Sequence, residues 1–323
     1  MARVLVVGGG GYIGSHMVKM LAHQGHDVAT LDNFSTGYRD AVIAGQLIEA
    51  DLADRAALDR AFGHGGFEAV MHFASYIQVG ESVREPGKYY RNNVFHTLNL
   101  LDAMVAHGVK AFIFSSTAAV FGEPQYVPID EAHPRVPINP YGASKLMVER
   151  ILADYDAAHG LRSVSLRYFN AAGADPEGQL GERHEPETHL IPLVLQAAAG
   201  KRPAIQVFGT DYDTPDGTCI RDYIHIQDLC AAHLLALEQL AAGAPSAAYN
   251  LGNGTGFSVR EVITSAERVS GRAIPVQYAP RRAGDPARLV ADSRAARTAL
   301  GWTPAHADLD TIIAHAWAWE RRR

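Results

Sequence analysis

The chain predicts an α/β fold: a doubly wound parallel sheet followed by a smaller C-terminal α/β domain. Short β-branched runs alternate with amphipathic helical stretches over the first two thirds, a glycine-rich turn closes the first run, and the texture changes after Asn170. Alternation of this kind makes parallel strands joined by right-handed crossovers. The length of 323 residues exceeds the roughly 100–200 usual for one domain, so one large body or two intimate ones is expected. With 47% hydrophobic and 20% charged residues, a mainly disordered chain is excluded.

The first strand is expected at 3–7, where apolar residues run into Gly8, and a helix follows over 15–22. Further strands are expected at 27–31, 47–50, 69–73, 111–115 and 162–167; their shortness and flanking Gly, Pro and Asp favour strand over helix. Asn139 and Pro140 open a helix, proline being suited to a first turn. Residues 175–186, rich in Gly, Pro and charge, mark the start of a second domain. Residues 207–224 read as loop and strand around a turn at 213–217, and 249–251 as a late strand returning to the main sheet.

Charge and cysteine content narrow the function. Lys plus Arg number 29 against 35 Asp plus Glu, and the longest basic cluster is Arg321, Arg322 and Arg323, so neither nucleic acid nor a membrane surface is expected as a partner. Cys219 and Cys230 are too few for a disulfide framework and too far apart for C-x-x-C. With neither a signal peptide nor an apolar span of about 20 residues, the cytoplasm is the expected location.

Gly8, Gly11 and Gly14 form G-x-x-G-x-x-G between strand and helix. Missing side chains allow the tight turn and close approach to a pyrophosphate, while the helix N-terminus offers N–H groups and a positive dipole end. Asp32 ends the second strand twenty-one residues after Gly11, where an acid accepts from an adenosine ribose and repels a 2′-phosphate. The cofactor expected is NAD rather than NADP, on a Rossmann-type sheet.

Ser115, Ser116 and Thr117 put hydroxyls at the C-terminal end of the fifth strand, where open α/β sheets keep their ligand crevice. Tyr141 and Lys145, four apart, share a helix face. A tyrosine titrates near 10, too high for a base at neutral pH, and a nearby ammonium favours its phenolate. Lys145 and the nicotinamide charge are expected to supply that bias.

The glycine turn, Tyr141 with Lys145, and Thr117 together resemble the extended short-chain dehydrogenase/reductase family. GGGGYIGS at 8–15, VGES at 79–82, RYFN at 167–170, RDYIH at 221–225, YNLG at 249–252 and APRRAGD at 279–285 resemble, in order along the whole chain, its nucleotide-sugar 4-epimerases. The resemblance implies that Tyr141 takes the proton from a sugar 4-hydroxyl while NAD removes hydride from C4. The bound 4-keto sugar then turns over and is reduced on its other face, interconverting UDP-galactose and UDP-glucose with NAD retained. Thr117 assists at the hydroxyl, and Lys145 tunes the tyrosine and holds the nicotinamide ribose.

By the same resemblance, cofactor contacts fall on Gly8, Gly11, Tyr12, Ile13, Gly14, Asp32, Asn33, Phe34, Asp51 and Leu52 beside the adenine, Phe73, Ala74, Asn92, Tyr141, Lys145 and Phe169. For the UDP-sugar, Arg221 and Arg282 match the diphosphate with fork-shaped donors. Asn170 meets the diphosphate and His189 and Leu190 wall it. Gln206, Val207 and Phe208 hold the uracil by backbone, Tyr223 the nucleotide side and Asp285 the ribose. Leu289, smaller than the aromatic of some relatives, leaves room for an N-acetylated sugar. Residues 1–170 are expected to bind NAD, with 225–255 returning to them, and 171–323 the nucleotide sugar. A homodimer through helices at 89–106 and 141–157 is implied.

Alternatives stay open at this point. A dehydratase would need carboxyl groups just after Thr117, where Ala118 and Ala119 stand. UDP-xylose, UDP-arabinose or UDP-N-acetylglucosamine epimerisation remains, as does an NAD-binding redox sensor without catalysis. His184, Glu185 and His189 are spaced H-E-x-x-x-H with Pro186 interrupting any helix, so no metal role is expected.

Overall fold

Strand β1 (Arg3–Val7) is buried in its last four residues, as befits a strand covered on both faces of a parallel sheet. It pairs in parallel with β2 (Asp27–Asp32) on one side and β4 (Ala69–His72) on the other. Parallel pairing continues from β2 to β3 (Gln46–Glu49) and from β4 to β5 (Ala111–Thr117). β6 (Arg162–Tyr168) and the strand Ala247–Leu251 complete seven strands in the order β3-β2-β1-β4-β5-β6 and then Ala247–Leu251. The order reverses between β1 and β4, so a crevice opens outside their carboxyl ends. This is the expected doubly wound α/β fold of Rossmann type, with the strands within two residues of their expected ends.

The structure is a computed structural model and describes residues 1–282 and 284–323. Ala283, inside the APRRAGD stretch, lies outside the described residues. Two compact units divide the chain. The first comprises 1–122, 135–167 and 230–249, and the second 123–134, 168–229 and 250–323. Sequence reading put one passage at 170 and a return over 225–255; the excursion at 123–134 is too short to leave a compositional signal.

The first unit's core joins Leu5, Val7, Leu31, Phe112 and Phe114 of the sheet to Leu100, Leu101, Val148 and Leu152 of the helices His96–Ala106 and Pro140–His159. Each such side chain contributes roughly 1.5–3 kcal/mol on burial. Helix Pro140–His159 starts where the Asn139 side chain accepts from Gly142 N (2.9 Å) and ends at Gly160, whose φ of 65° is left-handed. Both are helix-terminating devices, and they fix which face carries Tyr141 and Lys145.

The second unit packs Val194, Val207, Val262, Ile312 and Trp317 from helices Leu190–Ala198, Val259–Ser270 and Leu309–Glu320 and the strand Ile205–Phe208. That strand pairs in parallel with Val276–Ala279, and Ile220–Arg221 lies between Phe257–Ser258 and Arg288–Leu289. Ser258 and Glu261 close a reciprocal capping box at the start of Val259–Ser270. Among the described residues no helix is long and apolar enough to cross a membrane.

Candidate active site

The glycine turn is tight enough that single carbons are excluded. A Cβ on Gly8 would lie 2.6 Å from Ala74 N, one on Gly10 2.8 Å from the Phe34 ring, and one on Gly14 2.1 Å from Gly8 O. Gly8 also has φ +85°, which L side chains rarely adopt. Gly11 caps helix Tyr12–His23 without a side-chain bond, leaving the helix dipole to a ligand anion. The Asp32 carboxylate accepts from Gly10 N (2.8 Å) and Phe34 N (2.7 Å), which fixes it beside the turn with lone pairs to spare for a ribose. A cradle that admits only hydrogen at three positions fits a dinucleotide pyrophosphate.

The remaining expected cofactor residues of this unit stand at neighbouring strand ends, apart from Asn92 on a helical stretch. Asn33 donates to Asp51 (2.7 Å), and Asp51 also accepts from Ala53 N (2.7 Å). Burial works to raise the Asp51 pKa, but these hydrogen bonds hold it below the usual carboxylate value. Leu52 is buried, and Phe73 follows β4 and meets the His233 ring at 5.0 Å. Asn92 lies in a π-helical stretch, Tyr90–Phe95, and donates to Asn93 (3.0 Å); such stretches recur at functional sites. Phe169 belongs to the second unit, where its N–H bonds Leu251 O (3.2 Å).

Thr117 and Tyr141 come together: the Thr117 hydroxyl lies close enough to the Tyr141 phenol to work against the rise in its pKa, and its Oγ1 accepts from Ala119 N (3.2 Å). Lys145 is buried, its Nζ donating to Ser75 Oγ and Ser115 O (both 2.8 Å) and lying 4.9 Å from the Phe114 ring centroid. Burial pulls the Lys145 pKa down to about 7. Tyr141 departs from expectation. Its pKa is raised by burial, with only the Thr117 hydroxyl acting the other way. Desolvation therefore outweighs any help from Lys145, whose own charge the same dry environment weakens. The bias toward phenolate is not built into the chain alone.

Sequence reasoning missed the supports. Ser75 lies 70 residues from Lys145, and no motif singled it out. Ser116 is not a substrate hydroxyl but donates to Glu149 Oε1 (2.6 Å), and Arg167 grips Glu149 through both oxygens (2.9 and 2.7 Å) in a buried pair. His72 is buried, bonded to Thr97 (3.0 Å), and held neutral by burial and by Lys145.

In the second unit, Asn170, His189, Leu190, Gln206, Phe208, Arg221, Tyr223, Arg282 and Asp285 line one cavity of about 280 Å³. Arg221 pairs with Asp285 and donates to Ile220 O (2.7 Å), while the Arg282 guanidinium sits 3.8 Å from the Phe208 ring centroid. Val207 is not on the lining; its side chain is in the core. Leu289 lies on a strand beside Arg221 and also off the lining. Asp222, between Arg221 and Tyr223, is fully buried and ringed by the N–H groups of Asn253, Gly254 and Ala291 at 2.7–3.1 Å. It anchors the backbone under the cavity, a role invisible in the RDYIH string.

A glycine cradle on a doubly wound sheet, with a Tyr-x-x-x-Lys helix and a strand-end hydroxyl on the tyrosine, defines a dinucleotide-dependent enzyme of the short-chain dehydrogenase/reductase type. The family model described as NAD dependent epimerase/dehydratase matches residues 4–252, and the chain belongs to that family. It is 54% identical over 319 residues to a UDP-glucose 4-epimerase of Rhizobium leguminosarum bv. trifolii, covering 99% of this chain and 97% of that protein. The UDP-glucose 4-epimerase of Brucella ovis, solved with NAD, superposes with a TM-score of 0.96 at 51% identity, covering 98% of each chain. That of Bifidobacterium longum, solved with NAD+ and UDP, gives 0.94 at 39% identity over 99% and 98%.

Proposed function

We propose that the chain interconverts UDP-galactose and UDP-glucose by 4-epimerisation with NAD kept bound. The observation that carries this reading is that more than half of the chain, over nearly its whole length, is identical to a curated UDP-glucose 4-epimerase, with the Thr117 hydroxyl beside the Tyr141 phenol. NAD, when bound, supplies reversible oxidation at the sugar C4 and a positive charge that offsets the burial of a Tyr141 phenolate.

Tyr141 accepts the proton of the sugar 4-hydroxyl and returns it after the sugar has turned over. Thr117 holds that hydroxyl, and its hydrogen bond favours the phenolate. Lys145 anchors the nicotinamide ribose from its seat on Ser75 and Ser115. Residues of the first unit, from Gly8 to Asn92, bind NAD. In the second unit Arg221 and Arg282 hold the diphosphate, the planar guanidinium of the latter held in place over the Phe208 ring. Asp285 turns from Arg221 to the ribose, while Asn170, His189, Leu190, Gln206, Phe208 and Tyr223 enclose the nucleotide and Val207 contributes through its backbone alone. Phe169 completes the cofactor contacts.

Cytoplasmic location is supported by two buried, unpaired cysteines, Cys219 and Cys230. A homodimer is supported by Phe95 and Met147, large apolar side chains exposed at 57% and 46% next to and on the helices proposed to pair. Light scattering of Phe95→Asp should then give half the wild-type mass. The activity is tested by incubating the purified chain with UDP-galactose, no NAD added, and following the anomeric signals by NMR. UDP-glucose should appear; its failure to appear from NAD-loaded protein would refute the reading.

A further inference from the structure

The loop leading into helix Leu190–Ala198 gathers Glu182, His184, Glu187 and His189, one donor atom from each within a 4.8 Å span. Both histidines turn Nδ1 toward both carboxylates. His184 Nδ1 lies 3.3 Å from Glu182 Oε1 and 3.5 Å from Glu187 Oε2; His189 Nδ1 lies 2.9 Å from Glu182 Oε1 and 3.0 Å from Glu187 Oε1. A tetrahedral zinc site with bonds of about 2.0–2.1 Å has donor–donor edges of about 3.3–3.4 Å; the four separations, which run to both oxygens of Glu187, lie near that value, while the donor set as a whole spans up to 4.8 Å and would draw together on an ion. The H-E-x-x-x-H string obscured this grouping, because the converging acids are Glu182 and Glu187 rather than Glu185, and an irregular loop brings them together where a helix could not.

The carboxylates are built in rather than drifting on the surface. The Glu182 and Glu187 side chains are 7% and 6% exposed. Glu187 Oε1 accepts from Thr188 N (2.8 Å) and His189 N (2.9 Å), and the Glu182 carbonyl accepts from Trp319 Nε1 (3.1 Å) and Arg323 Nη1 (3.2 Å). Such outer bonds orient ligands for a metal.

We propose that Glu182, His184, Glu187 and His189 bind one divalent first-row transition-metal ion, zinc in the first instance, which pins the loop that carries His189 and Leu190 into the cavity wall. Two imidazole nitrogens and two carboxylate oxygens suit such an ion better than calcium or magnesium, which prefer oxygen alone. Four protein donors fill a tetrahedron, so the site is structural and leaves no open position for chemistry. The two carboxylates balance the two positive charges of the ion, so no uncompensated charge is buried with it.

The test uses the intact chain, stripped with chelator and desalted, then titrated with Co²⁺ alone and back-titrated with Zn²⁺. One equivalent of cobalt should bind with the intense visible absorption of a four-coordinate site, zinc should bleach it, and zinc should raise the Tm. In His184→Ala and Glu187→Gln affinity should fall at least about 100-fold, with both the band and the Tm shift lost. Folded wild type that takes up no stoichiometric metal and shows no Tm shift would overturn the proposal, leaving an ion-pair network only. Equal binding by folded variants would also overturn it, since the ion would then sit elsewhere. Should a variant not fold, the wild-type titration still decides.

Discussion

The site cations of the two units are held in opposite ways, although the first unit also buries the Arg167–Glu149 pair. In the first, Lys145 is buried with uncharged hydrogen-bond partners, Ser75 Oγ and Ser115 O, and its pKa falls to about 7. In the second, Arg221 rests on Asp285, and His184 and His189 rest on Glu182 and Glu187. There burial opposes the imidazolium charge, but the carboxylates prevail and push His184 up to about 9 and His189 up to about 10. A buried cation without a counter-ion takes its charge state from whatever arrives beside it. A paired cation must exchange one anion for another, so its affinity for a ligand is a difference between two ion pairs. The first arrangement suits proton chemistry, the second reversible binding.

The contrast breaks most severely where the first unit's backbone is altered. Gly14→Ala drives a Cβ against Gly8 O; we expect loss of nearly all bound NAD after gel filtration and a drop in Tm from overpacking of roughly 1–3 kcal/mol or more. Gly87→Ala, whose Cβ meets nothing within 4 Å, should leave both unchanged.

Lys145→Met sharpens the contrast through pH. The folded pKa of about 7 lies below the ordinary 10.5, so between those values the unfolded chain holds a proton that the folded chain does not. Wild-type stability should therefore rise with pH across that window, and below about pH 7 the full penalty, on the order of a few kcal/mol, should be present. Denaturant unfolding at several pH values should show this rise in the wild type relative to Lys145→Met. Equal pH dependence in both would mean that Lys145 is not desolvated.

Arg221→Met addresses the paired side. Loss of a charge-assisted contact to a diphosphate costs about 1.5–3 kcal/mol, partly offset because Asp285 is released. Steady-state kinetics should show KM raised about tenfold to a hundredfold with kcat nearly unchanged. A fall in kcat alone would place Arg221 in the chemical step instead.

What could be read from the sequence followed the physics. The glycine turn, Asp32 and β1 to β6 were legible because sterics and strand periodicity act within a few residues. Tyr141 and Lys145 were legible as a helix-face pair, yet the direction of the Tyr141 shift was not, because desolvation depends on tertiary packing around the ring. Ser75 and Glu149 were silent for the same reason: their partners lie 70 and 18 residues away. In the second unit, Arg221 and Asp285 were each marked, but their mutual pairing across 64 residues was not. The grouping of Glu182 and Glu187 with His184 and His189 was not legible because spacing was judged against a helix that the loop does not form.

The most direct measurement compares wild type with Tyr141→Phe, which removes the phenol oxygen beside Thr117 while keeping the ring. We expect a fall of about 10²- to 10⁴-fold in kcat for UDP-galactose conversion, with bound NAD and UDP affinity preserved within about threefold. Turnover within tenfold of wild type in folded, NAD-loaded Tyr141→Phe would contradict this expectation.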